Sequence, residues 1–286
     1  KFLAGMTSTV PSFVLVKHPE VILPLLADWH SPYVANEVLE RRGKKRGRKK
    51  LETDEKILVR PLTTEGKATE RLVASSSVRP YTLLETCDWL AEGRIPESAV
   101  ERLERHVRTD VSWCAWRLQN KYSFGYSNTC PRSAARAVET TIRALLRERW
   151  PKFFRFSTGK DAVDVRNDAF FIRYDKDWSV PPPHLDIAED EEKGQQIANA
   201  IIYLSGSPSL RGGETMLGVA PGLKRHGHLP VAITPEKGKL VVWRSYDDQG
   251  ILNPLAMHTA RKVSAGVKFA LCVRVRRASR CELTRM

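Results

Sequence analysis

The run QIANAIIYLS, residues 196–205, is mostly apolar and is followed by a glycine, which is typical of a buried β-strand. Three other runs share this character: AFFIRY at 169–174, KLVVWRS at 239–245 and VKFALCVRVR at 267–276. Short β-rich runs separated by glycine, proline and polar turns are typical of a β-sandwich or jelly roll. We therefore predict a double-stranded β-helix, or jelly roll, over residues 161–280.

Two stretches before these runs have helical rather than strand periodicity. Apolar residues recur at helical spacing over Glu97–Arg108 and again over Ser133–Trp150, with charged residues between them. Pro151 ends the second stretch, since proline cannot continue a helix. We predict that residues 79–160 form a helical support layer, which gives an α+β to mainly β fold, cupin-like and backed by helices.

Residues 1–78 are predicted to form a basic N-terminal extension. Strand-like runs occur at Ser12–Lys17 and Ile57–Val59, and the spacing of VILPLLADW at 21–29 suits a short helix. Between them lies RRGKKRGRKK, residues 41–50, in which eight of ten residues are positively charged. Such a run cannot bury a face, so we expect a solvated basic loop at 41–50, followed by an irregular connection to about Val78 that contains the strand at Ile57–Val59.

The formal net charge of +14 points to a polyanionic neighbour. The sequence therefore predicts RNA or ribonucleoprotein contact through residues 41–50 and through the Arg-rich end RVRRASR at 274–280. The alternative is that the basic run is a solvated loop without a dedicated partner. Charge of this kind informs about partners and not about the fold.

Cysteine usage and hydropathy bear on the compartment. Five scattered cysteines without a C-x-x-C pair argue against a disulfide framework and a zinc ribbon, so we expect an intracellular, reducing compartment. No apolar run approaches the roughly 20 residues that cross a bilayer, so we expect a soluble protein without a transmembrane segment. Because the chain opens with Lys1, import into a mitochondrion or plastid, or a nuclear location, stays open.

The segment PPPHLD carries the chemistry, because it places His184 and Asp186 two positions apart. On an extended segment that spacing sends both side chains to the same face, where they can share one metal ion. His258, just before the last β run, is placed to supply a third ligand. Two imidazoles and one carboxylate on one face, with the other positions open, form the facial triad that suits Fe(II).

Two further features accompany this triad. Lys268 lies ten residues beyond His258, at the start of VKFALCVRV, where it can hold the far carboxylate of a dicarboxylic keto acid that chelates the metal. His226 and His228 form a second H-x-H pair, but no carboxylate at suitable spacing accompanies them. We interpret that pair as part of an exposed basic loop. An isolated H-x-D pair also arises by chance, so the whole ordered set carries the prediction.

From Arg166 to Arg276 the ordered set resembles the prolyl 4-hydroxylase branch of the 2-oxoglutarate dioxygenases. The resemblance rests on FIRYD, the H-x-D pair, NAIIYLS, GGET, PEKGKLVVW, the distal histidine and GVKFA. It implies that His184, Asp186 and His258 are the catalytic iron ligands, that Lys268 binds 2-oxoglutarate, that Tyr174 and Tyr203 line the co-substrate pocket, and that Gly212 and Gly213 form a tight turn. Three prolines before His184 and an insertion between Thr215 and Thr234 depart from the family pattern, where substrate is expected to approach.

The resemblance implies an enzyme, a hydroxylase that uses Fe(II), 2-oxoglutarate and O2, with ascorbate as an optional addition. The expected substrate is a prolyl residue in a peptide or protein, and the expected co-product is succinate. Two other functions stay open at this point. One is a jelly-roll structural subunit associated with RNA or a ribosome, and the other is a nucleic-acid demethylase.

Overall fold

The computed structural model describes the chain in segments that fall into two compact units. Before Trp89 it describes the backbone of five strands, and from there on it describes residues 89–115, 123–151, 163–176, 178, 180–186, 189–190, 194–220, 223, 229–246 and 252–276. One unit comprises residues 1–87, 220–228 and 247–254, and the other comprises the remainder.

The first unit contains a five-stranded antiparallel sheet of order β4-β3-β2-β1-β5. Its strands are β1 Phe13–Lys17, β2 Tyr33–Arg42, β3 Lys56–Pro61, β4 Arg71–Ala74 and β5 Val78–Pro80. The strands predicted at 12–17 and 57–59 are confirmed. The irregular connection predicted from residue 51 to about Val78 is wrong where β4 and the start of β5 occur. Arg41 and Arg42 belong to β2, so the predicted basic loop is wrong for these two residues. Residues 43–50, and the helix predicted at 21–29, lie outside the described residues.

Both predicted helices are present in the second unit. Helix α1 spans Glu97–Thr109 and helix α2 spans Arg132–Arg149, and each follows a proline that suits the first turn of a helix. Their apolar stripes are buried, with Leu103 and Ile142 fully inaccessible to solvent. His106 of α1 contacts the ring of Phe171, so α1 covers the outer face of the sheet that contains this phenylalanine.

The second unit holds thirteen described strands. They are β6 Leu90–Arg94, β7 Trp113–Ala115, β8 Ser123–Tyr126, β9 Ala169–Asp175, β10 Glu189–Asp190, β11 Gly194–Tyr203, β12 Arg211–Gly212, β13 Thr215–Leu217, β14 Val231–Ile233, β15 Lys239–Arg244, β16 His258–Ala260, β17 Val263–Ala265 and β18 Val267–Arg276. The four strands predicted from apolar runs correspond to β9, β11, β15 and β18.

The major sheet is antiparallel and has the order β6-β15-β11-β18-β9-β8-β7, with β10 paired to β11. Strand β11 lies between β15 and β18, with Asn199 opposite Trp243 and Arg274. Strand β18 also pairs with β9, which places Lys268 opposite Tyr174. Residues on both faces of β11 are buried, such as Ile201 on one face and Ile202 on the other, so this strand needs apolar residues on both faces.

A minor sheet of order β14-β13-β16 and a two-stranded ladder of β12 and β17 complete the β-structure. Buried residues of both sheets pack into one core, among them Ile201 and Trp243 from the major sheet and Leu217 and Ile233 from the minor sheet. Two antiparallel layers around such a core form the predicted jelly roll. None of the described helices is both long and apolar enough to cross a membrane.

Candidate metal centre

The two histidines of the predicted triad face each other across a single β-bridge. His184 donates its backbone N–H to the carbonyl of His258 at 2.9 Å, and His258 returns the same bond at 2.9 Å. Directly opposed residues of an antiparallel pair project to the same face. Their ring centroids accordingly lie 4.4 Å apart. Two segments 74 residues apart in sequence thus deliver two imidazoles to one point.

Asp186 completes the cluster, because it lies two residues beyond His184 on the same extended segment. Its Oδ1 lies 3.7 Å from His184 Nε2 and its Oδ2 lies 3.6 Å from His258 Nε2. One candidate ligand atom from each residue lies within 4.8 Å of the others. The donor set of two nitrogens and one carboxylate suits a first-row divalent metal such as Fe(II), with open positions for exogenous ligands.

Backbone carbonyls orient both imidazole rings. The Nδ1 of His184 bonds to the carbonyl of Pro182 at 2.8 Å, and that of His258 bonds to the carbonyl of Ala256 at 3.0 Å. A carbonyl accepts only, so each Nδ1 carries the proton and each Nε2 keeps its lone pair. Outer hydrogen bonds of this kind fix the tautomer of a metal-binding histidine. Burial, partly opposed by Asp186, lowers the pKa of His258 to about 4, which keeps its ring neutral.

A chain of buried polar side chains holds the backbone of Asp186. The hydroxyl of Ser245 donates to the backbone carbonyl of Asp186 at 3.1 Å, and Asn199 Nδ2 donates to Ser245 Oγ at 3.4 Å. Gln196 Nε2 in turn donates to Asn199 Oδ1. The indole of Trp243 packs edge-on against His258, with ring centroids 5.0 Å apart. The segment that carries Asp186 is therefore anchored to the major sheet.

Lys268 lies on β18 with a side chain that is almost wholly inaccessible, at 1% exposure. Its Nζ donates to the carbonyl of Gly213 at 2.6 Å and to Thr215 Oγ1 at 3.4 Å. These two partners leave room for a third acceptor on an ammonium that has three donors. Burial lowers the pKa of Lys268 to about 8, because a desolvated ammonium is less stable than one in water.

The two predicted pocket tyrosines both flank this ammonium. Its Nζ lies 5.5 Å from the ring centroid of Tyr174 and 5.3 Å from that of Tyr203, so both aromatic faces stabilise the charge. Tyr174 lines the cavity described below. Tyr203 is fully buried behind it, and its hydroxyl donates to Thr215 Oγ1 at 2.7 Å. Thr215, rather than Tyr203, reaches the cavity wall.

The glycine pair forms the tight turn that the resemblance implies. Gly212 and Gly213 have φ values of 77° and 76°, in the left-handed region that other residues rarely adopt. A Cβ at Gly212 would also collide with the carbonyl oxygen of Lys262. This turn brings the Gly213 carbonyl within reach of Lys268.

One cavity of about 460 Å³ joins the triad to Lys268. The following residues line it: Phe170, Ile172, Tyr174, Pro181, Pro182, His184, Asp186, Asn199, Ala200, Ile201, Thr215, Trp243, His258, Thr259, Ala260, Lys268, Cys272, Val273 and Arg274. Its size is that of a small-molecule site with a few convergent polar groups in an apolar wall.

The sequence located the triad, Lys268 and Tyr174, all of which the structure brings together in this cavity. It missed Thr215, Asn199, Ser245 and Arg274 as parts of the site. The alternation of Asn199 with apolar residues on β11 is a signal that could have revealed that residue. The pair His226 and His228 lies outside the described residues.

The structure corrects part of the predicted RNA contact through the Arg-rich end. Arg274 and Arg276 belong to β18, and both bond to the buried carboxylate of Asp168. Arg276 is only 3% exposed, so it is not available to a phosphate backbone. Residues 277–280 lie outside the described part of the chain.

Comparison with known proteins gives one family match. Residues 169–275 match the 2OG-Fe(II) oxygenase superfamily. No curated protein matches the chain.

Among solved structures, a viral collagen prolyl hydroxylase from Paramecium Bursaria Chlorella virus-1, determined as a 2OG complex, is 16% identical. The match covers 67% of this chain and 97% of that one, with a TM-score of 0.48. A Pseudomonas putida prolyl-4-hydroxylase is 15% identical over 68% and 95% of the two chains, with a TM-score of 0.48. A Trichoplax adhaerens prolyl hydroxylase, in complex with a hypoxia inducible factor peptide fragment, is 12% identical over 65% and 83%, with a TM-score of 0.45.

Proposed function

We propose that residues 169–275 form a 2OG-Fe(II) oxygenase domain of the prolyl 4-hydroxylase type, and that the chain is a hydroxylase of prolyl residues in a peptide or protein. The family uses Fe(II), 2-oxoglutarate and O2. The observation that carries the proposal is the single cavity that joins His184, Asp186 and His258 to the buried ammonium of Lys268. Prolyl specificity is supported by the sequence resemblance from Arg166 to Arg276.

The iron centre of this family supplies the conversion of a C–H bond to C–OH, coupled to the decarboxylation of 2-oxoglutarate to succinate. In this chain, His184, Asp186 and His258 would hold the metal through Nε2, a carboxylate oxygen and Nε2. Lys268 would bind the distal carboxylate of 2-oxoglutarate, assisted by the hydroxyl of Thr215. The apolar wall of the cavity would exclude water from the reacting groups. Each of these roles requires only the positions that the side chains already occupy.

The proposal is tested by turnover on prolyl peptides. The full chain, loaded with Fe(II), is supplied with 2-oxoglutarate, ascorbate and a panel of proline-containing peptides, and each peptide is analysed by mass spectrometry. We expect a gain of 16 Da on proline in step with succinate release. Succinate release without that gain, accompanied by loss of a methyl group from a methylated oligonucleotide, would favour the demethylase instead.

The binding of 2-oxoglutarate should depend on pH through Lys268. Its pKa lies near 8 because of burial, so the ammonium loses its positive charge as the pH rises through that value. We expect the Kd for 2-oxoglutarate to be flat below about pH 8 and to rise about ten-fold per pH unit above it. Calorimetry on the Mn(II)-loaded chain measures this. Lys268→Arg should flatten the profile, because a guanidinium stays charged. A constant wild-type Kd up to about pH 9.5 would contradict the expectation.

We propose, as a second function, contact with RNA or a ribonucleoprotein through the basic run. Arg42 pairs with Lys56 at the end of the β2–β3 hairpin, so residues 43–55 connect the two strands. This connection includes six positively charged residues between Lys44 and Lys50. A cluster of this density releases counterions from a phosphate backbone when it binds.

Neutralising those six residues to serine or glutamine tests the RNA contact without shortening the chain. Binding to a labelled single-stranded RNA is measured against salt concentration for wild type and variant. If all six contact phosphates, the slope of log K against log salt should become shallower by about 4. Peptide hydroxylation should be unaffected. An unchanged slope would identify the run as a solvated connection without this partner.

A further inference from the structure

The cavity contains a second cation besides Lys268. Arg274 lies on the same strand, β18, and both residues contribute to the cavity wall. They are six positions apart, which corresponds to about 20 Å of extended strand. Their even spacing places them on the same face of the sheet. The cavity therefore has a positive charge at each end of this strand.

The candidate metal ligands lie near the row of the major sheet that contains Arg274. The indole of Trp243 packs against the ring of His258, with ring centroids 5.0 Å apart. Trp243 and Arg274 both lie opposite Asn199, one on each side of β11. Lys268 lies six positions from this row along β18. A co-substrate that reaches from the metal to Lys268 would therefore leave the Arg274 end of the cavity free.

Arg274 is held in place by two neighbours. Its Nη1 donates to Asp168 Oδ1 at 3.3 Å, and its guanidinium lies 5.1 Å from the ring centroid of Phe170. Asp168 is also bound by Arg276, through Nε and through Nη2 at 3.1 Å. The two guanidiniums therefore share this one carboxylate. Arg276 is buried, whereas the side chain of Arg274 is 36% exposed.

Arg274 is therefore the member of this cluster that reaches the cavity. Among the described residues that line the cavity, the carboxylate, ammonium and guanidinium groups belong to Asp186, Lys268 and Arg274. In the proposed function Asp186 binds the metal and Lys268 binds the co-substrate. Arg274 has neither of these roles, and Asp168 and Phe170 already orient its guanidinium. A fixed guanidinium of this kind favours a carboxylate, to which it can donate two parallel hydrogen bonds.

We infer that Arg274 recognises a carboxylate of the primary substrate, so that the chain prefers peptides with an acidic residue flanking the prolyl residue. This inference rests on the proposed function and adds the chemical class of its substrate. One guanidinium fits one acidic side chain better than a phosphate backbone, whose contacts need several cations along the strand. Arg274 thereby acts as a specificity-determining residue.

The test uses three fluorescein-labelled peptides with a central proline flanked by Glu, Gln or Lys, and anisotropy titrations of the full chain loaded with Mn(II) and 2-oxoglutarate. We expect the Glu peptide to bind on the order of ten-fold more tightly than the Gln peptide, and the Lys peptide to bind most weakly. Arg274→Gln should remove this preference, and Arg274→Lys should keep part of it. The matched control Arg105→Gln removes one charge from an exposed position of α1 and should keep the full preference.

The outcomes separate this inference from the proposed function. Equal binding of the Glu and Gln peptides by wild type, or a preference that survives in Arg274→Gln, would overturn the role of Arg274 whatever the turnover assay shows. So would Arg274-dependent binding of an oligonucleotide in place of the Glu peptide. Absence of 2-oxoglutarate-dependent succinate release would instead overturn the hydroxylase, and the binding ratios are measured independently of it.

Discussion

Replacing His184, Asp186 or His258 by alanine should abolish iron binding and succinate release. Two remaining ligands hold a divalent ion far less well than three. Changes to the outer hydrogen bonds of such sites already cost about 10- to 100-fold in affinity, so loss of a ligand should cost more than about 100-fold. The bridge between His184 and His258 uses backbone atoms only, so it survives these substitutions. Iron stoichiometry after anaerobic loading measures the effect.

The control for this prediction is the second histidine pair. His226→Ala and His228→Ala together remove as many imidazoles as the loss of both triad histidines, yet the iron content should stay that of wild type. An iron loss in this double variant that matches His184→Ala would show that the metal is held elsewhere. The thermal unfolding of the metal-free variants should resemble that of the metal-free wild type, which separates loss of a ligand from loss of the fold.

Lys268→Ala should retain iron but require far more 2-oxoglutarate. The ammonium lies in a desolvated site, and loss of one partner of a buried charge pair costs about 2 to 5 kcal/mol, on the order of 30-fold to several thousand-fold in affinity. Lys268→Arg should keep part of the activity, because the charge survives while its reach and planar shape differ. Succinate formation against 2-oxoglutarate concentration gives the apparent KM for each variant.

The exposed lysine Lys262, which precedes β17, provides the matched control. Lys262→Ala removes an equal charge from a solvent-exposed side chain that precedes β17. Its KM for 2-oxoglutarate should remain that of wild type. If Lys268→Ala behaves like Lys262→Ala while wild type still binds iron, then the distal carboxylate is held by another group. If wild type neither binds nor decarboxylates 2-oxoglutarate, the structural-subunit function replaces the hydroxylase.

Local sequence was sufficient to predict the strands and helices whose formation depends mainly on neighbouring residues. The apolar run at 196–205 predicted β11, since a strand that is buried on both faces needs apolar residues on both. Helical periodicity with a following proline predicted α2. Of the sheet at residues 13–80, β1 and β3 were predicted but β2, β4 and β5 were not. Charged and polar residues, such as those of YVANEVLERR, mask the strand period of β2.

The long-range parts of the site could not be predicted in the same way. The ion cluster joins Asp168 to Arg274 and Arg276 across more than one hundred residues, and no local pattern marks such a pair. Those arginines predicted a polyanion surface, since a charge run shows only its sign and not its partner. The hydrogen bond from Ser245 to the Asp186 carbonyl also depends on strand register alone. The triad was found because its order along the chain resembles a family.

Assembly of the metal site depends on the local stability of the β-bridge between His184 and His258. Pro181, Pro182 and Pro183 have no amide hydrogens, so the pairing of this segment with β16 begins at His184. The hydroxyl of Thr259, which donates to the Pro181 carbonyl at 2.6 Å, and that of Ser245 add to the two backbone bonds. A segment fastened at so few points opens more readily than the core, and a metal that binds only the closed form adds its binding free energy to closure. Amide hydrogen exchange at His184 thus reports metal occupancy directly, slow in the loaded chain and fast in the metal-free one.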